Sequence, residues 1–149
     1  MSSPLAIIDS HCHLDFEDYA GELDAVIDRA RAAGVIALVT IGSGRDLASA
    51  RAAVALAERF PFIWATVGVH PHDVKTIEPS DWAALAALAA HPRVCGIGET
   101  GLYYHYDHSP RELQRSTTAS AIRRASIWLA RTAASAGPMR GSTRAAHRR

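Results

Sequence analysis

Gly34-Val-Ile-Ala-Leu-Val-Thr-Ile-Gly42 is the stretch that decides the fold. Between its glycines, Val35 to Ile41 is apolar except for Thr40 and rich in β-branched side chains. A strand with one face in water alternates apolar and polar residues. An unbroken apolar run of this length instead marks a strand covered on both faces, as in the parallel sheets of α/β proteins. The same architecture repeats outward from this run. Before it, residues 22–33 place Leu23, Val26, Ile27, Ala30 and Ala33 at helical spacing, and Gly34 closes that helix. After it, Asp46 opens a second helix that reaches Phe60, and Phe62-Ile-Trp-Ala-Thr-Val-Gly-Val69 is another buried run. Ser80 is placed to cap a third helix in which Trp82, Leu85 and Leu88 share a face, and Arg93 to Gly98 makes a short fourth strand. Upstream, Leu5-Ala-Ile-Ile-Asp9 reads as the first strand. The order β-α-β-α-β-α-β predicts an α/β fold with crossovers of barrel or doubly wound type.

Composition bounds the class. A chain of 149 residues with 48% hydrophobic content and a formal charge of +1 suits one soluble domain. The longest apolar runs are only strand-length, and Met-Ser-Ser-Pro lacks the basic and apolar regions of a signal peptide. A cytoplasmic protein with no membrane association is expected, and no obligate protein partner is evident. Cys12 and Cys95 are expected to be buried free thiols rather than a disulfide.

The residues that carry chemistry fall just after strands. His11 and His13 follow the first, His70 and His72 the third, and Glu99 the fourth. In a (β/α) barrel that edge is the catalytic face. Alternate residues of an extended segment point the same way, so His11 and His13 project together while Cys12 faces the other side. Two imidazoles on a strand end make half of a divalent metal site. A pair of hydrogen-bonded core histidines is the plainer alternative. Glu99 has the chemistry of a carboxylate shared by two cations about 3.5 to 4 Å apart, or of a structural cap on the turn that follows it. His70, held by Pro71, sits where an imidazole can meet a substrate phosphate or steady a carboxylate; a purely structural turn histidine is the alternative, for His72 as well. His105 and His108 lie in Tyr103-Tyr-His-Tyr-Asp107 and just beyond it. There, rings can stack on unpaired bases or simply pack a loop. Asp15 is placed either to orient an imidazole or to cap the first helix.

Taken together, Asp9-Ser-His-Cys-His-Leu-Asp15, Val67-Gly-Val-His-Pro-His72, Gly96-Ile-Gly-Glu-Thr-Gly-Leu102 and Ser109-Pro-Arg-Glu-Leu-Gln114 resemble the TatD family of metal-dependent deoxyribonucleases, in that family's order and spacing. The resemblance covers residues 5–114. It implies the N-terminal half of a TIM (β/α)8 barrel, truncated relative to a complete chain of about 250 residues. It makes His11 and His13 ligands of one metal ion and Glu99 the bridging, catalytic carboxylate. His70 becomes a substrate-binding residue, and two divalent ions per site, Mg, Mn or Zn, become the cofactors. The family's remaining ligands are two histidines on later strands and a late aspartate; none has a counterpart here, since the only histidine beyond residue 108 is His147. Tyr103 stands where many relatives carry aspartate.

The resemblance implies hydrolysis of DNA phosphodiester bonds, in which an activated water attacks phosphorus while cations stabilise the developing charge. The same chemistry also serves other esters or amides, such as aminoacyl-tRNA, and an inactive truncated fragment is the third reading.

Residues 1–114 contain all 15 acidic residues and 8 of the 16 basic ones, a net charge of −7, whereas residues 115–149 hold eight arginines and no acidic residue. The later part is expected to be an atypical basic tail. It is either a nucleic-acid-binding arm or, as the Ala/Arg/Ser/Gly/Pro mixture favours, the product of a reading frame lost near codon 115. Within it only Ile122 to Ala130 has the pattern of an amphipathic helix.

Overall fold

The glycine-bounded run forms β2, Val35–Ser43, the second of four parallel strands hydrogen-bonded in the order β1-β2-β3-β4. The others are β1 (Ile7–Cys12), β3 (Ile63–Gly68) and β4 (Val94–Ile97). Helices α1 (Leu23–Ala32), α2 (Ala48–Arg59) and α3 (Asp81–Ala89) connect them, and α4 (Arg111–Ser135) follows β4. This computed structural model describes residues 5–135, with side chains through residue 123. Residues 136–149, including His147 and four of the eight arginines expected in a basic tail, lie outside the described residues.

Register explains the core. Leu38, Thr40 and Gly42 of β2 lie opposite Ile63, Ala65 and Val67 of β3, so all six share one face. That face is dry: Ile63, Ala65, Val67 and Thr40 have no exposed surface. Ile27 of α1, Ala50, Ala53 and Ala57 of α2, and Leu85 and Ala89 of α3 join the same continuous cluster. The three crossover helices therefore cover a single face of the sheet. A doubly wound fold would send helices to both faces and reverse the strand order, whereas sequential order with one covered face is the barrel solution. The other face carries Val39, Ile41, Trp64 and Thr66, with the Arg93 guanidinium 4.2 Å from the centre of the Trp64 ring.

Glycine is required at Gly34, where the chain leaves α1 at φ +99° with Leu5 carbonyl oxygen against the position a Cβ would take. Among the described residues, no helix is long and apolar enough to cross a membrane.

Four details differ from expectation. The first strand runs not over Leu5–Asp9 but over Ile7–Cys12, because pairing is a backbone matter: Cys12 sits opposite Thr40 and its thiol reaches the Val39 carbonyl at 3.4 Å, so polar residues extend the strand. The Ser80 side chain makes no capping bond; the Asp81 carboxylate instead accepts from the Glu78 amide at 3.0 Å. Cys12 is half-buried, but Cys95 is exposed, since β4 is an edge strand. Finally, helix is not confined to Ile122–Ala130. α4 begins after Pro110 and crosses the compositional change at residue 114, with Gln114, Thr117 and Ala121 buried at spacings of three and four. Its buried face is largely polar, and its abundance of alanine and arginine favours helix without apolar periodicity.

Candidate metal centre

β1 and β4 are the two edges of the sheet, yet the sheet curls so that their C-terminal ends converge. Gly68 permits the tightest part of that curl: a Cβ on it would lie 2.7 Å from the Gly98 carbonyl, a distance real contacts do not reach. The Ser43 hydroxyl at the end of β2 donates to the Glu99 carbonyl oxygen at 3.2 Å, tying the segment after β4 to a strand end two positions away in the sheet. On the β1 side, the Leu14 amide donates to Thr40 Oγ1 at 3.3 Å, fixing the segment that carries the two histidines. The result brings one donor atom each from His11, His13 and Glu99 to within 4.8 Å of one another.

The local packing is not that of a fully satisfied core. The His13 ring stacks on Phe16, 4.8 Å away and 16° from parallel, and meets His11 edge-on at 5.3 Å. His13 Nδ1 is buried with no hydrogen-bond partner among the described residues. Leaving such an atom unpaired costs free energy, and buried polar groups ordinarily find partners. Two imidazoles and a carboxylate, one of them holding an orphaned buried nitrogen, fit a divalent cation and leave coordination positions open. Cys12 does not join them. Its thiol is pushed up to about 12 by burial, with Asp9 and Asp15 adding to the effect, so it stays protonated and packs against the core.

His70 is placed beside this trio, its Nε2 4.0 Å from Glu99 Oε1. The His72 backbone N–H donates to His70 Nδ1 at 3.2 Å. That nitrogen is therefore an acceptor, and the ring proton belongs on Nε2, facing the carboxylate. His72 lies deeper, edge-on to His70 at 4.5 Å and to His108 at 4.6 Å. Burial, then the His70 and His108 imidazoles, hold it below the ordinary histidine range. Asp15 does neither of the things its position suggested: its Oδ2 accepts from the Ser49 hydroxyl at 2.6 Å, anchoring the chain after β1 to α2.

Two residues essential to this geometry had no assigned role in the sequence. Fully buried Gln114 accepts the Tyr103 amide at 3.0 Å and donates to the Ser109 carbonyl at 3.1 Å, while the Ser109 hydroxyl donates to the His72 carbonyl at 2.5 Å. The Ser109-to-Gln114 motif thus closes the loop after β4 and pins it to the histidine turn after β3. Its visible signal was proline at a helix start, which explains the helix but not the clamp.

The profile of TatD-related DNases matches residues 8–129. The chain belongs to the TatD family. Among TatD-family relatives, it is 37% identical over 116 residues to the uncharacterised metal-dependent hydrolase YabD of Bacillus subtilis, covering 78% of this chain and 45% of YabD. It is 37% identical over 114 residues to the 3'-5' ssDNA/RNA exonuclease TatD of Salmonella typhimurium, covering 76% of this chain and 43% of the exonuclease. The crystal structure of YJJV, a TatD homologue from Escherichia coli, superposes with a TM-score of 0.72 at 26% identity, over 81% of this chain and 47% of YJJV. The chain therefore spans less than half the length of these TatD proteins, and its fold is the N-terminal half of their barrel. The family match also runs across residue 114, as α4 does.

Proposed function

We propose that this chain carries the N-terminal portion of the metal centre of a TatD-type hydrolase that cleaves phosphodiester bonds in DNA. The observation that supports it best is the convergence of His11, His13 and Glu99 from opposite edges of the sheet. In this reading His11 and His13 hold one divalent ion, and Glu99 reaches both that ion and a second; Mg, Mn and Zn each suit parts of such a donor set. The bound cations supply Lewis-acid stabilisation of phosphoryl charge and acidify a water at neutral pH. The chain's own groups do the rest. Phe16 fixes the His13 ring plane, and the Ser43 bond fixes the backbone from which Glu99 projects. His70 directs its Nε2 proton at Glu99 or at a phosphate oxygen brought beside it.

The test is calorimetric titration with Mn²⁺, followed by incubation of the loaded chain with a labelled single strand, an aminoacyl ester and a small amide. Metal-dependent release of nucleotides, lost in Glu99→Gln, is the expected outcome. Turnover of the ester or amide but not the strand would overturn the substrate assignment. Unchanged Mn²⁺ affinity in both His13→Ala and Glu99→Gln would overturn the site.

A further inference from the structure

We propose that the loop joining β4 to α4 is a stacking platform for an unpaired nucleobase, with Tyr106 as its principal ring; this rests on the phosphodiesterase reading above. A row of rings leads away from the metal-centre carboxylate. His70, 4.0 Å from Glu99, lies 6.5 Å from Tyr103 between ring centres. Tyr103 packs edge-on against His72 at 4.8 Å and lies 6.1 Å from Tyr106, which also meets His72 at 6.0 Å, His108 at 5.4 Å and His105 at 4.5 Å. The row ends in water: Tyr103 is 39% and Tyr106 50% exposed.

Three features separate this loop from an ordinary packed connection. Tyr103 and Tyr106 keep much of their surface in solvent beside the site, where an incoming base can reach it. The loop is also rigid by construction. Fully buried Gln114 binds the Tyr103 amide at one end and the Ser109 carbonyl at the other, which fixes the rings before any ligand arrives and lowers the entropic cost of stacking on them. Finally, Lys75 binds the His108 carbonyl at 2.5 Å, placing a cation beside the rings where a strand's phosphates would run. Bases within a duplex are already stacked on each other. Only an unpaired base presents the face these rings can take, and stacking tolerates any base because each has one.

The experiment measures fluorescence anisotropy of a labelled oligothymidylate and of an abasic strand of equal length, with Ca²⁺ as the cation. Wild type is expected to prefer the base-bearing strand by roughly 5- to 100-fold. Tyr106→Ala should bring the ratio to within about threefold of unity, Tyr106→Trp should retain it, and Mn²⁺ affinity should be the same in all three. Tyr106 is half exposed, so its truncation opens no core. Equal wild-type affinity for the two strands would overturn the platform and leave the nuclease reading standing, as would a ratio unmoved by Tyr106→Ala. Binding of neither strand by metal-loaded protein would overturn the nuclease reading and the platform with it.

Discussion

β1 and β3 are both six-residue strands of one parallel sheet, and they are built for opposite purposes. β3 lies between two strands and under α2 and α3, with Ile63, Ala65 and Val67 wholly buried. β1 has a strand partner on one side only among the described residues, leaves Ile7 37% and Ile8 62% exposed, and carries His11 near its end. Composition already differs, with Asp9, Ser10 and His11 in β1 against Thr66 alone in β3. Burial separates them: β3 lies in the dry core, and β1 leads into the His11–His13 segment, held in place through Thr40 and Cys12 of the β1–β2 junction. A strand can therefore carry the candidate ligands while burying little apolar surface.

The largest effect expected is on the β3 side of that contrast. Ile63→Ala should cost about 2–5 kcal/mol in denaturant titration, through lost transfer energy and an unfilled cavity. Ile8→Ala in β1, an apolar truncation in a half-wet site, should cost no more than about 0.5 kcal/mol. Equal costs would break the division between the strands. Next comes the β1 side. His13→Ala should lower divalent-cation affinity at least about 100-fold by calorimetry while leaving the denaturation midpoint nearly where it was. A midpoint loss as large as that of Ile63→Ala would make the His13–Phe16 stack a structural element and erase the distinction.

Gln114 sharpens the comparison, because it belongs to neither strand yet is as buried as Ile63. Gln114→Ala should cost about 1–3 kcal/mol by stranding the Tyr103 amide and the Ser109 carbonyl. It should also speed hydrogen exchange at Tyr103 well before the β3 amides respond. Uniform acceleration across both would show that the loop and the sheet open as one unit.

What could be read in the sequence follows the same line. β2 and β3 were legible as long apolar runs, though the helices cover only one face and Ile36 and Trp64 stay 50% and 37% exposed; the histidine pair was legible by its place at the end of the first strand. Glu99 was legible as the residue at a strand's end. The last residues of β1 were not: Cys12 pairs with Thr40 only after an irregularity at Ser10 and His11, where the His11 amide donates to Asp9 Oδ1, and no side-chain pattern announces that. The choice between barrel and doubly wound sheet was hidden for a related reason: it depends on which face the helices cover, a fact of register rather than of composition. The Asp15–Ser49 bond joins residues 34 apart, and the contact between Gln114 and Tyr103 spans 11. Such pairings are fixed only once the sheet has curled. α4 was hidden because its buried face is built from Gln114, Thr117 and Ala121 rather than from large apolar side chains.

The smallest effect expected concerns His72, which tests whether the rim of the site is solvated like β1 or dry like β3. Its half-buried ring, with Nε2 out of reach of water and His70 and His108 beside it, is held below the ordinary histidine range, and Asp73 and Glu99 pull only weakly the other way. In the unfolded chain the same imidazole takes a proton near pH ~6.5. Above that pH neither state is protonated at His72, and its contribution to stability is intact. As pH falls below it, the unfolded chain binds the proton first, so stability declines until the lower folded value is passed. Melting temperatures measured from pH 8 to pH 5 should therefore fall more steeply for wild type than for His72→Asn, which has no proton to gain. Parallel curves would place His72 in water with the exposed half of β1. A steeper wild-type curve would place it, together with the Ser109 and Gln114 clamp above it, on the side of β3: a rim whose polar groups are kept dry, and which holds the histidine turn after β3 rigid against the strand end that carries Glu99.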